Sequence, residues 1–494
     1  MTPRRLALPL AVAAFAAILL APAPPGVGDA GGRLLAVTAL IAILWITEAI
    51  PIAVTSALPL VLFPVLRIQS AGTTAKHYAA DVLMLLAGAF VLALGIERSG
   101  LHRRLALVAL TVFGSRPRRL VLGFMATTAG LSLWISNTAS TLLMLPIALA
   151  IVAGLEARGG RGSAGNLPVA LLLGIAYAAS IGGMGTIVGT PPNAICIQAA
   201  VQASIVPPTF AQWMAVGVPL VVLYVPAAWF ILVRVAVRVP AGDPAEAAES
   251  ARLIADERRA LGPMRSAERR AAAIFGLAAL AWVFRADLAF GPGFAVPGWA
   301  PAVGLGKFVD DSTVAVAAAV LLFLVPEGPG SARRLMDWET LAKGFPWDMI
   351  VLFGGGLALA GGFETTGLSA WIASRLGALS GAEAFVVIGA TATIAVFTSE
   401  IASNTALAAL LMPILRATAG GLGIEPMPLM MAGALAASCG FMMPVATAPN
   451  AIVYGTGRVP VRTMVRAGLL LDLIGIVLVT LVCATIAVPL LGRR

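Results

Sequence analysis

Leu131-Ser132-Leu133-Trp134-Ile135-Ser136-Asn137-Thr138-Ala139 and Thr398-Ser399-Glu400-Ile401-Ala402-Ser403-Asn404-Thr405-Ala406 carry the same polar triplet into two apolar stretches, near 120–155 and 384–416. Ser, Asn and Thr each bond their own backbone and favour turns and caps over helix interiors. A helix interrupted in lipid leaves backbone groups that only protein or a wet cavity can satisfy. Both stretches therefore read as re-entrant hairpins with the triplet at the tip.

The two triplets belong to a longer repeat. The offset that lays Ser136 on Ser403 also superimposes, without a gap, Asp81 on Asp348, Gly88 on Gly355, Glu97 on Glu364, Gly100-Leu101 on Gly367-Leu368, Ser132 on Ser399 and Pro146-Ile147 on Pro413-Ile414. A slightly shorter offset then aligns Gly183 with Gly440, Thr190 with Thr447, and Pro192-Asn193-Ala194-Ile195 with Pro449-Asn450-Ala451-Ile452. Apolar sequence matches by chance at Leu or Ala, not at paired Asp, Glu and Pro-Asn in one register. Five crossings separate the helix at Asp81 from that at Asp348, so the repeats are inverted in the membrane. Inverted repeats with broken helices mark secondary transporters.

Composition agrees. The 494 residues are 60% hydrophobic and 11% charged, against about 25% charged in soluble domains. Apolar runs of roughly 20 residues recur throughout. Helices are expected near 6–22, 33–49, 52–66, 82–97, 167–200, 213–237, 271–289, 312–326, 347–362, 425–456 and 467–490, an all-α polytopic membrane protein. The chain divides into a first helix (1–32), a first repeat (33–240), a polar linker (241–270) and a second repeat (271–494). Residues 1–25 read as an uncleaved first helix in preference to a signal peptide.

The net charge of +10 comes from arginines in short loops, not from a nucleic-acid face. Five clusters fall on one side if both hairpins re-enter: Arg98 to Arg119, Arg158 with Arg161, Arg252 to Arg270, Arg333 to Lys343, and Arg458 to Arg466. That side is cytoplasmic, and so is the N-terminus. Arg493-Arg494 runs against this count. Three scattered cysteines imply neither metal nor disulfide framework.

The chemistry follows from the breaks. Helix N-termini carry partial positive charge, so two facing breaks cradle a dianion, and Asn and Thr donate to carboxylate oxygens. Thr190-Pro191-Pro192-Asn193 and Thr447-Ala448-Pro449-Asn450 add a second break per repeat, where proline frees carbonyls. Such carbonyls with Ser, Thr and Asn oxygens suit a hard cation, one Na+ site per repeat. The tips hold no Lys, Arg or His, and His77 and His102 are the only histidines. A buried anion then needs bound Na+ as counter-charge. Glu400 reads equally as a functional intramembrane acid or as an acceptor for hairpin backbone. Asp81, Asp348, Glu97 and Glu364 read as caps or ion-pair partners, and Gly354-Gly355-Gly356 as a close helix approach. HExxH, GxSG, P-loop and Asp-rich prenyl motifs are absent, so an intramembrane enzyme is not expected.

With Trp45-Ile46-Thr47-Glu48-Ala49-Ile50-Pro51, Gly189-Thr190-Pro191-Pro192-Asn193 and Pro444-Val445-Ala446-Thr447-Ala448-Pro449-Asn450-Ala451-Ile452 added to the triplets, the chain resembles the divalent anion/Na+ symporter family of dicarboxylate, citrate and sulfate carriers. The resemblance implies eleven transmembrane helices, two opposed re-entrant hairpins, a homodimer and elevator-type alternating access in a bacterial-type inner membrane. It implies one Na+ site of Ser132, Ser136, Asn137 and Gly189, and another of Ser399, Ala402, Asn404 and Ala446. Substrate would lie between Ser136-Asn137-Thr138 and Ser403-Asn404-Thr405, closed off near Thr190 and Thr447. Position 399 is Ser where the family often has Thr, and 448 is Ala where it often has Pro. The expected activity is Na+-coupled symport of a C4-dicarboxylate such as succinate, malate or fumarate. The alternatives are a dicarboxylate exchanger or a sulfate or citrate carrier of the same fold.

Overall fold

A computed structural model describes residues 3–159, 165–240, 244–289, 295–376 and 383–492. Arg161 and Arg493-Arg494 lie outside them. The chain opens with α1 (Pro3–Leu20), α2 (Asp29–Thr47), α3 (Ile52–Val65) and the short α4 (Ala71–Lys76). Then come α5 (Asp81–Ser99), α6 (Leu101–Phe113), α7 (Pro117–Ser132), α8 (Asn137–Gly159), α9 (Leu167–Gly183), α10 (Pro191–Gln202) and α11 (Phe210–Phe230). A connecting stretch holds α12 (Pro244–Ala260), α13 (Ser266–Val283), α14 (Trp299–Ala302), α15 (Asp311–Leu324) and α16 (Trp338–Gly344). The second series is α17 (Trp347–Thr365), α18 (Leu368–Leu376), α19 (Ala384–Ser399), α20 (Asn404–Leu422), α21 (Pro426–Ala437), α22 (Ala448–Gly455) and α23 (Val461–Val482), with α24 (Val488–Leu491) at the end.

The repeat is now visible as structure. The helices α5 to α11 recur in order as α17 to α23, and α19 starts and stops where the offset between the triplets carries the ends of α7. The turn after α5 is made by Gly100 at φ +81 and that after α17 by Gly367 at φ +72, a left-handed conformation that glycine adopts without a Cβ clash. Contacts are exchanged between the halves. α10 packs on α20 and α22 on α8; α5 packs on α15 and α17 on α3. Gly88 of α5 lies against the Ala315 backbone, and its twin Gly355 of α17 lies against the Ser56 backbone. Neither position has room for a Cβ. Gly354 meets the Tyr78 ring and Gly356 meets Ala409, so the triple glycine serves close packing, as its composition suggests.

Among the described residues, six helical segments are long and apolar enough to cross a membrane, or seven if the bent pair α16 and α17 forms one span. Several other apolar helices are shorter, α9, α19 and α21 among them. The spans expected over 167–200 and 425–456 are each two helices, because the chain unwinds from Met184 to Thr190 and from Ser438 to Thr447. The helix expected to 289 stops at Val283, where the Phe284 amide caps onto the Leu280 and Trp282 carbonyls. Beyond it Leu288–Ala289 pairs with Ala295–Val296 as a two-residue ribbon. The polar linker is helical over α12, which packs on α6 and α8.

The arginine clusters converge. Arg98 pairs with Asp337 at 2.5 Å and Glu327 at 3.5 Å, Arg103 with Glu257 at 2.7 Å, and Arg104 with Glu268 at 3.1 Å. Arg265 donates to the Ser99 carbonyl at 2.7 Å. Arg458 forms a fork to Glu156 at 2.9 and 3.2 Å.

Candidate functional site

A cavity of about 490 Å³ lies where the breaks meet, within the ~300–1,000 Å³ usual for small-ligand sites. All eight residues expected to face substrate line it: Ser136, Asn137, Thr138 and Thr190 from the first repeat, Ser403, Asn404, Thr405 and Thr447 from the second. Residues from opposite halves of the chain are thereby brought to one space.

Four helices begin at this cavity. Asn137 opens α8, Asn404 opens α20, and Pro191 and Ala448 open α10 and α22. Their first-turn N–H groups have no partner within the helix. Side chains answer only some of them. The Ser136 hydroxyl accepts from the Ala139 amide at 3.2 Å, and the Thr447 hydroxyl accepts from the Asn450 amide at 3.2 Å. No Lys, Arg or His lines the cavity among the described residues, so its positive character is that of helix ends.

The first proposed cation set divides between cavity wall and interior. Ser136, Asn137 and Gly189 line the cavity. Ser132 is fully buried behind them, its hydroxyl 2.6 Å from Asn137 Oδ1 and 2.7 Å from the Ala179 carbonyl. One hydroxyl proton faces two acceptors, so the cluster has an excess of oxygen lone pairs. Gly183 presses on Asn137 Oδ1 and on the Gly189 carbonyl. In the second set Asn404 and Ala446 line the cavity, while Ser399 and Ala402 are buried. Asn404 Oδ1 has no hydrogen-bond partner among the described residues. Gly440 lies against Ala446 and the Ser399 hydroxyl. A surplus of oxygens with too few donors is what a hard cation requires, and both sets fit Na+ as cargo.

Each helix break is braced the same way. Asn193 Nδ2 donates to the Gly183 and Thr186 carbonyls at 2.9 and 2.7 Å. Asn450 Nδ2 donates to the Gly440 and Met443 carbonyls at 3.1 and 3.0 Å. Both side chains are fully buried.

Glu400 is an acceptor, but for backbone of the second break and not for that of its own hairpin. It is 2% exposed, and its carboxylate accepts from the Phe441, Met442 and Met443 amides at 2.6, 2.9 and 2.9 Å. It therefore clamps the segment leading to Ala446. Hydrogen bonds to a charged group contribute about 1.5–3 kcal/mol each. Glu364 pairs with Arg416 and accepts from Ser369, as an ion-pair partner should. Asp81 and Asp348 sit in the first turns of α5 and α17. Glu97 differs: it faces the cavity.

Sequence reasoning passes over two groups. Leu86 and Phe90 of α5 and Met349 and Phe353 of α17 add apolar lining to the cavity; such residues carry no sequence mark of a cavity. Asp472 is fully buried on α23. An acid inside an apolar run was the available signal.

Residues 4–492 match the family described as the sodium:sulfate symporter transmembrane region. The sodium-dependent dicarboxylate transporter SdcS of Staphylococcus saprophyticus is 37% identical over 491 residues, 97% of this chain and 90% of the relative. Its counterpart in Staphylococcus aureus strain MRSA252 is 37% identical over 472 residues, 94% of this chain and 87% of that one. Two solved structures share the fold at low identity. The YdaH transporter of Alcanivorax borkumensis matches with TM-score 0.55 and 15% identity over 99% of this chain and 98% of that chain. MtrF of Neisseria gonorrhoeae matches with TM-score 0.57 and 17% identity over 99% and 95%.

Proposed function

Because the chain belongs to the sodium:sulfate symporter family, we propose that it is a Na+-coupled symporter of a C4-dicarboxylate such as succinate, malate or fumarate. It is a transporter and not an enzyme, with Na+ as the coupling ion and a small anion as cargo. The observation that carries the substrate class is the meeting of both Ser-Asn-Thr triplets on one cavity that no cationic side chain lines among the described residues. Each tip offers a helix N-terminus and an Asn-Thr pair to one carboxylate, so two tips suit a dianion. The neighbouring oxygen clusters around Ser132 and Asn404 would hold one Na+ each and supply the missing counter-charge. Substrate affinity then depends on sodium.

In this reading the hairpins α7/α8 and α19/α20 re-enter from opposite faces, and eleven helices cross the bilayer of a bacterial plasma membrane. The repeats, with their exchanged contacts, move the site by an elevator-type step within a homodimer. The converging arginines support a cytoplasmic N-terminus.

Uptake of labelled succinate into proteoliposomes, with sodium or potassium as the only external cation, tests the proposal. Sodium-dependent uptake that unlabelled malate or fumarate competes away is expected. Equal uptake in both salts would remove sodium from the account. Uptake of sulfate or citrate alone would reassign the substrate and leave the cation sites standing.

A further inference from the structure

Glu97 and Glu364 are twins in the repeat, but only one of them has a counter-ion. Glu364 pairs with Arg416 and accepts from the Ser369 hydroxyl at 2.8 Å. The offset that lays Glu97 on Glu364 puts Leu149 in the place of Arg416 and His102 in the place of Ser369. Leu149 offers nothing to a carboxylate, and the His102 ring donates to the Ile96 carbonyl at 3.2 Å instead. Among the described residues no group donates to the Glu97 carboxylate. Its neighbour Arg98 is committed to Asp337 at 2.5 Å, to Glu327 at 3.5 Å and to the Thr340 hydroxyl at 3.0 Å.

This unpaired acid faces the substrate. Phe90, Ala93, Leu94 and Glu97 all line the cavity, a stripe along one face of α5. Gly344 lies against Leu94, and Arg98 reaches Thr340, so Glu97 sits at the edge of the cavity beside the bend between α16 and α17. Among the described lining residues it is the single charged side chain. A half-buried carboxylate without a partner costs stability, and it repels the anions that the cavity admits. The repulsion is selective. Two triplets answer two carboxylates. A third carboxylate on the same molecule has no triplet left and must lie elsewhere in the cavity. Beyond the triplets, Thr190 and Thr447, the lining offers it no side-chain donor, and its one ionisable group is Glu97.

We propose that Glu97 is a specificity-determining residue, whose unpaired carboxylate rejects anions that carry a third carboxylate, such as trianionic citrate or tricarballylate. The inference rests on the dicarboxylate reading above. The discrimination is by charge and not by bulk. Methylsuccinate adds volume to a dianion without adding charge, and Glu97 does not act against it. Glu97→Gln keeps the shape of the wall and abolishes the repulsion, whereas Glu97→Asp keeps the charge.

The test is competition against labelled succinate uptake into proteoliposomes of the full-length protein, under an inward sodium gradient and with every carboxyl of the competitors ionised. The quantity read is the inhibition constant of tricarballylate divided by that of methylsuccinate. In Glu97→Gln this ratio should fall about tenfold, and in Glu97→Asp it should stay within about twofold of wild type. An unchanged ratio in Glu97→Gln, or an equal fall in Glu97→Asp, overturns the proposal. A second measurement uses wild type alone and depends on no variant folding. The central mono-amide of tricarballylate has the size of the parent and one charge fewer, and it should compete about tenfold better. Equal competition by the two would make size the limit and overturn the proposal. If wild type takes up no succinate under the sodium gradient, the dicarboxylate reading fails and the proposal with it. Succinate uptake with an unchanged ratio overturns the proposal alone.

Discussion

Asn193 and Asn450 make the same two bonds at equivalent points of the two repeats, each bridging two carbonyls across its own helix break, Gly183 and Thr186 in one case and Gly440 and Met443 in the other. The equivalence ties a sequence repeat to a physical task. A broken helix frees carbonyls that lipid cannot satisfy, and one buried amide per repeat satisfies two of them.

Removing either bridge should therefore cost stability as well as transport. Asn193→Ala or Asn450→Ala leaves two buried carbonyls short of a donor, a loss of about 1–3 kcal/mol. Thermal unfolding of the detergent-purified variants should show a lowered midpoint, and uptake should fall with it. An unchanged midpoint would mean that water replaces the amide without loss.

The tip residues should behave differently. Asn137→Ala or Asn404→Ala should abolish uptake while the protein still purifies at its normal assembly size. Normal uptake by both variants would refute the site assignment.

For Thr138→Ala and Thr405→Ala the expected change is a several-fold rise in apparent KM for the dianion, with expression close to wild type. Each loses one donor hydroxyl at the cavity wall, worth about 0.5–1.5 kcal/mol. Equal loss of expression would instead make them structural.

Two glycines give a comparison within the repeat. A Cβ on Gly183 would stand 2.5 Å from Asn137 Oδ1, whereas one on Gly440 would meet the Ala446 Cβ at 3.1 Å. Gly183→Ala should weaken sodium activation of uptake more than Gly440→Ala. The reverse order would contradict the geometry of the first cation set.

Much of this was legible in the chain because polar residues are conspicuous in apolar sequence. Ser136-Asn137-Thr138 and its twin mark the starts of α8 and α20, and Thr190-Pro191-Pro192-Asn193 marks the end of the second break. The break itself begins earlier, at Met184, in a stretch whose mostly apolar and glycine residues do not mark where the helix ends. Leu86, Phe90, Met349 and Phe353 look like any lipid-facing or core residues; only the fold brings them to the cavity. The role of Glu400 depends on the amides of Phe441, Met442 and Met443, far along the chain, a contact that local pattern does not encode.

Symport requires that sodium and a dianion bind together between the two Ser-Asn-Thr triplets and cross the membrane together. Proteoliposomes given the same sodium concentration outside, with or without sodium inside, measure this directly. The account predicts that labelled succinate accumulates above its external concentration only when sodium is absent inside, and that collapsing the gradient releases it. Accumulation that ignores the sodium gradient but needs preloaded dicarboxylate would show exchange and contradict the coupling assigned to the two breaks.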